Sequence, residues 1–219
     1  MRKSVVCIFA HPDDEAFGPA GAIAKYAKTH YVYILCVTKG EAGISDLPQS
    51  LGAIATVREQ ELHKSAEALG VKKVYFLGFQ DGTLSNNLYH KIAEKIETHL
   101  KKLKPEIIMT FEPHGVSGHI DHIVVSYITT YVFYRLKFIK TLLYYCISDK
   151  RRARIKDYFV YFPPGYKKSQ IHKTVPIADV WDQKVQAMHC HISQKHDSDR
   201  ILKETKELPK EEYFLVLKK

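Results

Sequence analysis

A chain of 219 residues, 45% hydrophobic and 26% charged and without a low-complexity tract, has room for a full hydrophobic core, which excludes disordered, collagenous and long coiled-coil architectures. No stretch approaches the ~18 apolar residues of a membrane-spanning helix, and Cys7, Cys36, Cys146 and Cys190 stand far apart with no CxxC, so neither a disulfide framework nor a thiolate zinc site is suggested. The net charge of +9 is uneven: eleven Lys or Arg fall between Arg135 and Lys173, including Lys150-Arg151-Arg152-Ala153-Arg154, against Asp149 and Asp157 alone, a bias toward an anionic partner or a solvated basic face.

In chain order, the apolar run Ser4 to Ala10 predicts a buried strand, and Ala16, Phe17, Ala20, Ile23, Ala24 and Ala27 predict a helix over Glu15 to Lys28. Tyr31 to Thr38 is a second, β-branched and aromatic strand followed by the turn Lys39 to Gly43. A helix over Ser50 to Leu69 stops at Gly70; a strand over Lys73 to Phe79 leads through Gln80-Asp81-Gly82 to a helix over Leu88 to Leu103, ended by Pro105. Glu106 to Phe111 is a fourth strand, and a polar loop precedes a helix over His119 to Tyr134. Further on, Thr141 to Ile147 and Tyr213 to Leu217 read as strands and Ile177 to Cys190 as a helix.

Alternating strands and helices predict an α/β fold: a Rossmann-like three-layer sandwich with a mostly parallel sheet, residues 1–219 forming a single domain. Ligand sites in such sheets lie outside the carboxyl ends of the strands. The loops at His11 to Glu15, Gly40 to Gly43, Asp81 and His114 to His122 all fall there. The opening Met-Arg-Lys-Ser and its apolar run lack a small-residue cleavage site, and widely spaced thiols suit a reducing compartment, so a cytoplasmic location is expected.

Two motifs carry chemistry: His11-Pro12-Asp13-Asp14 and Gly118-His119-Ile120-Asp121-His122. Imidazole nitrogen and carboxylate oxygen are the ligands of a catalytic zinc, which keeps three protein ligands and an open position. Residues 11 and 14, like 119 and 122, are about one helical turn apart and can face one side. Either motif alone also suits a helix cap or an ordinary surface pair. Together, at the ends of two strands, they point to a metal site.

The segments AHPDDE, TKGEAG, ATVREQELHKSAEALG, GFQDGTL and TFEPHGVSGHIDH, with MHCHISQ at 188–194 more weakly, resemble the PIG-L/LmbE-like family of zinc-dependent N-acetylglucosaminyl deacetylases. The resemblance implies His11, Asp14 and His122 as metal ligands, Asp13 as general base, His119 as the group that stabilises the oxyanion or acts as acid, Asp121 as its partner, and Arg58 and Asp81 as substrate contacts. Ile120 stands where proline is usual, and Ala20-Gly21 where a glycine pair is common. The activity it implies is removal of the acetyl group from an N-acetylglucosamine-containing glycoside or glycolipid, with Zn2+ as cofactor and Fe2+ or another divalent metal as substitutes. In that chemistry Asp13 takes a proton from the attacking water, a protonated His119 held by Asp121 steadies the oxyanion, and the leaving amine receives a proton.

A non-haem iron oxygenase uses a similar ligand set, but the alternating βα order argues against the barrel it usually needs. The rival from another class is a sugar- or nucleotide-binding or nucleic-acid-binding module on the same fold; no GxGxxG or P-loop appears, and no stable nucleic-acid partner is expected. The basic 135–173 stretch suggests a phosphate on the substrate or peripheral contact with an anionic membrane.

Overall fold

A computed structural model describes residues 2–43, 51–156 and 161–219. Its strands are β1 (Ser4–Phe9), β2 (Tyr31–Cys36), β3 (Lys73–Phe76), β4 (Ile107–Phe111), β5 (Thr141–Cys146), β6 (Lys173–Pro176) and β7 (Glu211–Lys218). The α-helices are α1 (Asp14–Phe17), α2 (Ala20–Ala27), α3 (Leu51–Ala68), α4 (Tyr89–Leu103), α5 (Ile120–Arg135), α6 (Asp149–Arg152), α7 (Trp181–His189) and α8 (Lys195–Thr205).

The seven strands form one sheet in the order β3-β2-β1-β4-β5-β7-β6. The first five run parallel, as a chain of βα crossovers requires. Along β1 the side chains alternate between two cores: Val5, Cys7 and Phe9 pack on one face, Val6 and Ile8 on the other. Both faces are covered, so every β1 residue after Ser4 is buried. The first core takes Ile23 of α2, Leu62 of α3 and Met188 of α7; the second takes Ile92, Ile96 and Leu100 of α4 and Val132 and Phe133 of α5. Each fully buried large side chain contributes about 1.5–3 kcal/mol, as an upper estimate.

The chain builds outward from β1 to β2 and β3, then returns to lay β4 on the other side of β1. That reversal opens a crevice beyond the carboxyl ends of β1 and β4. The loops carrying the two motifs leave those strand ends. None of the helices among the described residues is long and apolar enough to cross a membrane.

The structure departs from the expected elements where local rules compete. The helix expected over Glu15 to Lys28 is two helices, because Pro19 supplies no N–H and a Cβ on Gly18 would sit 2.6 Å from the Asp14 carbonyl oxygen. The strand expected to reach Phe79 ends at Phe76, and Gly78 turns the chain at φ 73°. The expected helix start at Ser50 lies outside the described residues, as does Asp157. The expected strand at Tyr213 to Leu217 is part of β7, which runs antiparallel to β5 and then pairs with β6. Neither β6 nor α8 was among the expected elements.

Candidate metal centre and active site

The first motif is folded by Asp14. Its Oδ2 accepts from the backbone N–H of Ala10 (3.0 Å) and His11 (2.9 Å), which bends the chain leaving β1 back over itself and leaves Oδ1 facing the crevice side of the loop. Asp13 is consequently driven to φ 100°, a left-handed conformation that costs a side-chain-bearing residue about 1–2 kcal/mol. Two buried groups hold it there. Glu15 Oε2 accepts the Asp13 N–H at 3.1 Å, and Arg58 Nη2 donates to Asp13 Oδ2 (2.8 Å) and to the Pro12 carbonyl (2.7 Å). Arg58 reaches in from α3 and also donates to the Gly40 carbonyl at 2.6 Å, so it joins two of the rim loops.

The second motif is shaped by Glu112 at the end of β4. This buried carboxylate accepts from the N–H groups of His114 and Val116, each at 2.8 Å, and from the Tyr166 hydroxyl at 2.8 Å. Gly115 turns the loop at φ 68°, where a Cβ would lie 2.8 Å from the His122 Cβ. His119 caps α5, its Nδ1 accepting from the Asp121 N–H at 3.1 Å, and places His122 in the first helical turn.

The two loops converge. His11 Nδ1 lies 3.1 Å from His122 Nε2, His122 Nε2 lies 3.1 Å from Asp14 Oδ1, and His11 Nδ1 lies 3.9 Å from Asp14 Oδ2. Tautomers follow from the other ring nitrogens. His11 Nε2 donates to Asp81 Oδ1 at 2.8 Å, with Asp121 Oδ2 at 3.4 Å, and His122 Nδ1 donates to the Gly115 carbonyl at 3.1 Å. With those protons on the far nitrogens, His11 Nδ1 and His122 Nε2 are the ring atoms that face each other and a carboxylate oxygen, free to bind a cation that displaces any second proton. Three lone-pair donors at such spacing fit one divalent cation, with outer partners fixing each ring as metal-binding histidines require. His119 stacks on His122 with ring centroids 5.0 Å apart, and its donor atom also lies within 4.8 Å of those of His11 and His122.

The electrostatics are those of a site deficient in positive charge. Burial disfavours charge on His11, but Asp121, Asp81 and Asp14 outweigh it and pull the imidazole up to about 10. Burial also works against the Asp14 carboxylate, yet His122 and His11 bring it down to about 2. Asp13 goes the other way, raised to about 7 by burial beside Asp14 despite Arg58. His119 is lowered to about 4, by burial first and then by His122 and His11.

A cavity of about 600 Å³ brings together His11, Asp13, Asp14, Arg58, Asp81, His119 and His122. Four of the expected site residues also make contacts within the protein. Asp121 does not grip the His119 imidazole: its carboxylate accepts from Gly82 N–H (2.8 Å), Leu84 N–H (3.3 Å) and His11, and only its backbone meets His119. His119, expected to be protonated, is instead held neutral, with Nδ1 accepting and its ring proton therefore on Nε2. Asp81 and Arg58, expected to touch substrate, line the cavity and are also bound within the protein, though Arg58 Nε has no partner. Asp81 serves His11 and the Ala42 N–H, and Arg58 serves Asp13.

Sequence reasoning gave no role to Glu15 or His191. Glu15 accepts from Ser65 Oγ at 2.5 Å and pairs with His191 Nε2 at 2.7 Å; both are buried beneath Asp13, so His191 does not line the cavity. The MHCHISQ segment held the only signal, and its Ser193 is tied to Glu61 of α3 by its N–H (2.8 Å) and Oγ (2.6 Å). The basic run disperses. Arg152 donates to the Pro163, Ile155 and Phe162 carbonyls, Arg154 turns to Glu207, and Arg135 to Glu97; Arg151 and Lys156 reach the cavity.

A family profile described as GlcNAc-PI de-N-acetylase (PIG-L) matches residues 6–133. The chain is 32% identical over 203 residues to the diacetylchitobiose deacetylase of Thermococcus kodakarensis, covering 88% of this chain and 70% of that protein. It is 35% identical over 127 residues to a probable N-acetyl-alpha-D-glucosaminyl L-malate deacetylase 2 of Bacillus cereus, covering 56% of this chain and 57% of that relative, under two thirds of its length. Among solved structures, an N,N'-diacetylchitobiose deacetylase from Pyrococcus horikoshii superimposes with a TM-score of 0.76 over 99% of this chain and 84% of that one; at 22% identity the likeness speaks to fold.

Proposed function

The chain belongs to the PIG-L (GlcNAc-PI de-N-acetylase) family, and from that premise we propose that it is a divalent-metal hydrolase that removes the acetyl group from an N-acetylglucosamine-bearing small molecule or glycolipid, giving acetate and a free amino sugar. One observation supports the reading: His122 Nε2 lies 3.1 Å from both His11 Nδ1 and Asp14 Oδ1, side chains drawn from two loops. Zn2+ is the first candidate for that position, and Fe2+ suits the same donor set. Such a cation lowers the pKa of bound water from 15.7 to about 7, supplying a nucleophile at neutral pH.

The chain's own residues then divide the work. Arg58 takes Asp13 Oδ2 and leaves Oδ1 to accept a proton from the attacking water. His119, neutral and protonated at Nε2, donates to the amide oxygen as negative charge develops on it. Asp13 returns its proton to the leaving nitrogen as the C–N bond breaks. Asp81 and Asp121 act through His11, holding its ring so that Nδ1 faces inward. The relatives are a diacetylchitobiose deacetylase and a probable N-acetyl-alpha-D-glucosaminyl L-malate deacetylase, which supports an N-acetylglucosaminyl group as the shared element. Unpaired cysteines, three of them buried, support a reducing compartment such as the cytoplasm.

The test is a panel of N-acetylglucosaminyl compounds assayed for released primary amine, with and without chelator and with zinc restored. Amine release that stops with chelator and returns with metal supports the proposal; no release from any member overturns it.

A further inference from the structure

The margin of the sheet where the five parallel strands begin lies opposite the cavity, and strand register brings lysines to it. Lys3 takes the Tyr31 N–H on its carbonyl (2.9 Å), and Lys72 gives its N–H to the Val32 carbonyl (2.8 Å), at the starts of β1, β2 and β3. Lys140 gives its N–H to the Glu106 carbonyl (2.8 Å) and Lys219 to the Lys140 carbonyl (3.1 Å), where β4 and β5 begin and β7 ends. All of these lysines are exposed. Helices α4 and α5 finish at the same margin, the first adding Lys101, Lys102 and Lys104, the second Arg135 and Lys137.

Cations belong at helix ends, where they meet the negative pole of the macrodipole. Some serve that purpose: Lys219 Nζ donates to the Leu136 carbonyl at 3.1 Å, and Arg2 Nη2 to the Lys28 carbonyl at 3.0 Å. Acids neutralise others, Glu106 pairing with Lys3 at 2.8 Å and Glu97 with Lys101 at 2.9 Å and Arg135 at 2.6 Å. Lys72, Lys102, Lys104, Lys137 and Lys218 are left over, exposed and with no carboxylate partner among the described residues; Glu67, at the end of α3, is the exposed acid that stands unpaired against them. Aromatic rings lie between these charges. Lys72 Nζ stands 3.9 Å from the centre of the exposed Tyr31 ring and Lys104 Nζ 4.6 Å from that of Phe138, while Tyr134, in the last turn of α5, is 62% exposed.

Like charges gathered on one margin repel one another until an anionic surface meets them. The guanidinium fork that reads base edges in nucleic acid is committed elsewhere here, since Arg2 and Arg135 are both engaged. Lysines on long apolar stems beside exposed tyrosines suit instead the headgroup layer of a bilayer, where anionic lipids attract the ammonium and the rings take the interface. We propose that this margin docks the protein on a bilayer containing anionic lipid. Six residues of β1 separate it from the loops of the metal centre, about 20 Å, so the docked protein opens its cavity to the aqueous side. The placement is independent of the reaction catalysed.

Sedimentation with vesicles of phosphatidylcholine alone, and of phosphatidylcholine mixed with phosphatidylserine, tests the docking at low and at high salt. The wild type should pellet with the mixed vesicles only and be released by salt. The triple variant Lys72→Gln, Lys102→Gln, Lys137→Gln should lower that partitioning about 10²-fold. Removing the same charge from exposed positions elsewhere, with Lys64→Gln, Lys203→Gln and Lys206→Gln, should change it little. Wild type that stays in the supernatant with both vesicles, equal losses in the two variants, or binding to duplex DNA at least as tight as to the mixed vesicles overturns the proposal. The wild-type result decides even where a variant fails to fold. Pelleting with mixed vesicles by a protein that hydrolyses no acetylated sugar upholds the docking and sinks the deacetylase reading alone.

Discussion

Asp13 meets two demands at once, a left-handed backbone and a carboxylate aimed at the histidine cluster, and neighbouring side chains make both affordable. Asn tolerates the same backbone region but accepts no proton. Asp13→Asn should therefore lower kcat on the order of 10²-fold or more while metal content, measured by elemental analysis, stays at the wild-type level. Beneath it, Glu15 and His191 form a buried pair whose partners lie far apart in the chain. Burial opposes charge on His191, but Glu15 raises its pKa above the ordinary 6.5. The pair's contribution to stability is thus full below the unfolded imidazole's pKa and is lost as pH rises through the higher folded one. Urea titrations from pH 6 upward should show that loss in the wild type and not in His191→Gln. The sequence announced His11, Asp13 and Asp14 because they share one motif. It was silent on Glu15 and His191 because their pairing is made by the fold.

At the level of elements, the break between α1 and α2 explains another buried pair. A helix that starts inside the protein brings N–H groups without partners. Glu212 of β7 accepts two of them, from Gly21 at 2.9 Å and Ala22 at 2.7 Å, and Lys184 of α7 bridges Glu212 Oε1 (2.7 Å) and the Gly18 carbonyl (2.6 Å). Glu212→Ala strands an ammonium and two amides in the core and should cost about 3–5 kcal/mol by denaturant unfolding. Lys184→Met leaves Glu212 its two N–H donors and should cost less; the reverse ranking would show that the amides, not the ion pair, are incidental. Pro19 was visible in the sequence, but proline is at home in a first helical turn as well as at a break. Only the fold shows which applies. Likewise, the apolar pattern of β7 predicted a strand, but strand direction depends on the connection, which the local pattern does not encode.

For the whole molecule, the mostly parallel sheet and a site at the carboxyl ends of its strands were legible because alternating βα segments admit few arrangements. In the last third β5, α7 and β7 were legible but β6 and α8 were not; α8 buries only Ser198 and Ile201 and carries a largely polar sequence. A cation that binds the folded state alone stabilises all of it by mass action, about 2.7 kcal/mol at a hundredfold excess over its Kd. Zinc should accordingly raise Tm in the wild type and leave Asp14→Ala unmoved, as read by thermal melts with and without chelator. Finally, the sheet's two outermost strands, β3 and β6, are only four residues long; one begins at Lys73, and the other runs from Lys173 to Pro176. Such blunt, charged or proline-ended margins offer a passing extended peptide little backbone to grasp, so the sheet is guarded against recruiting foreign strands into fibrils.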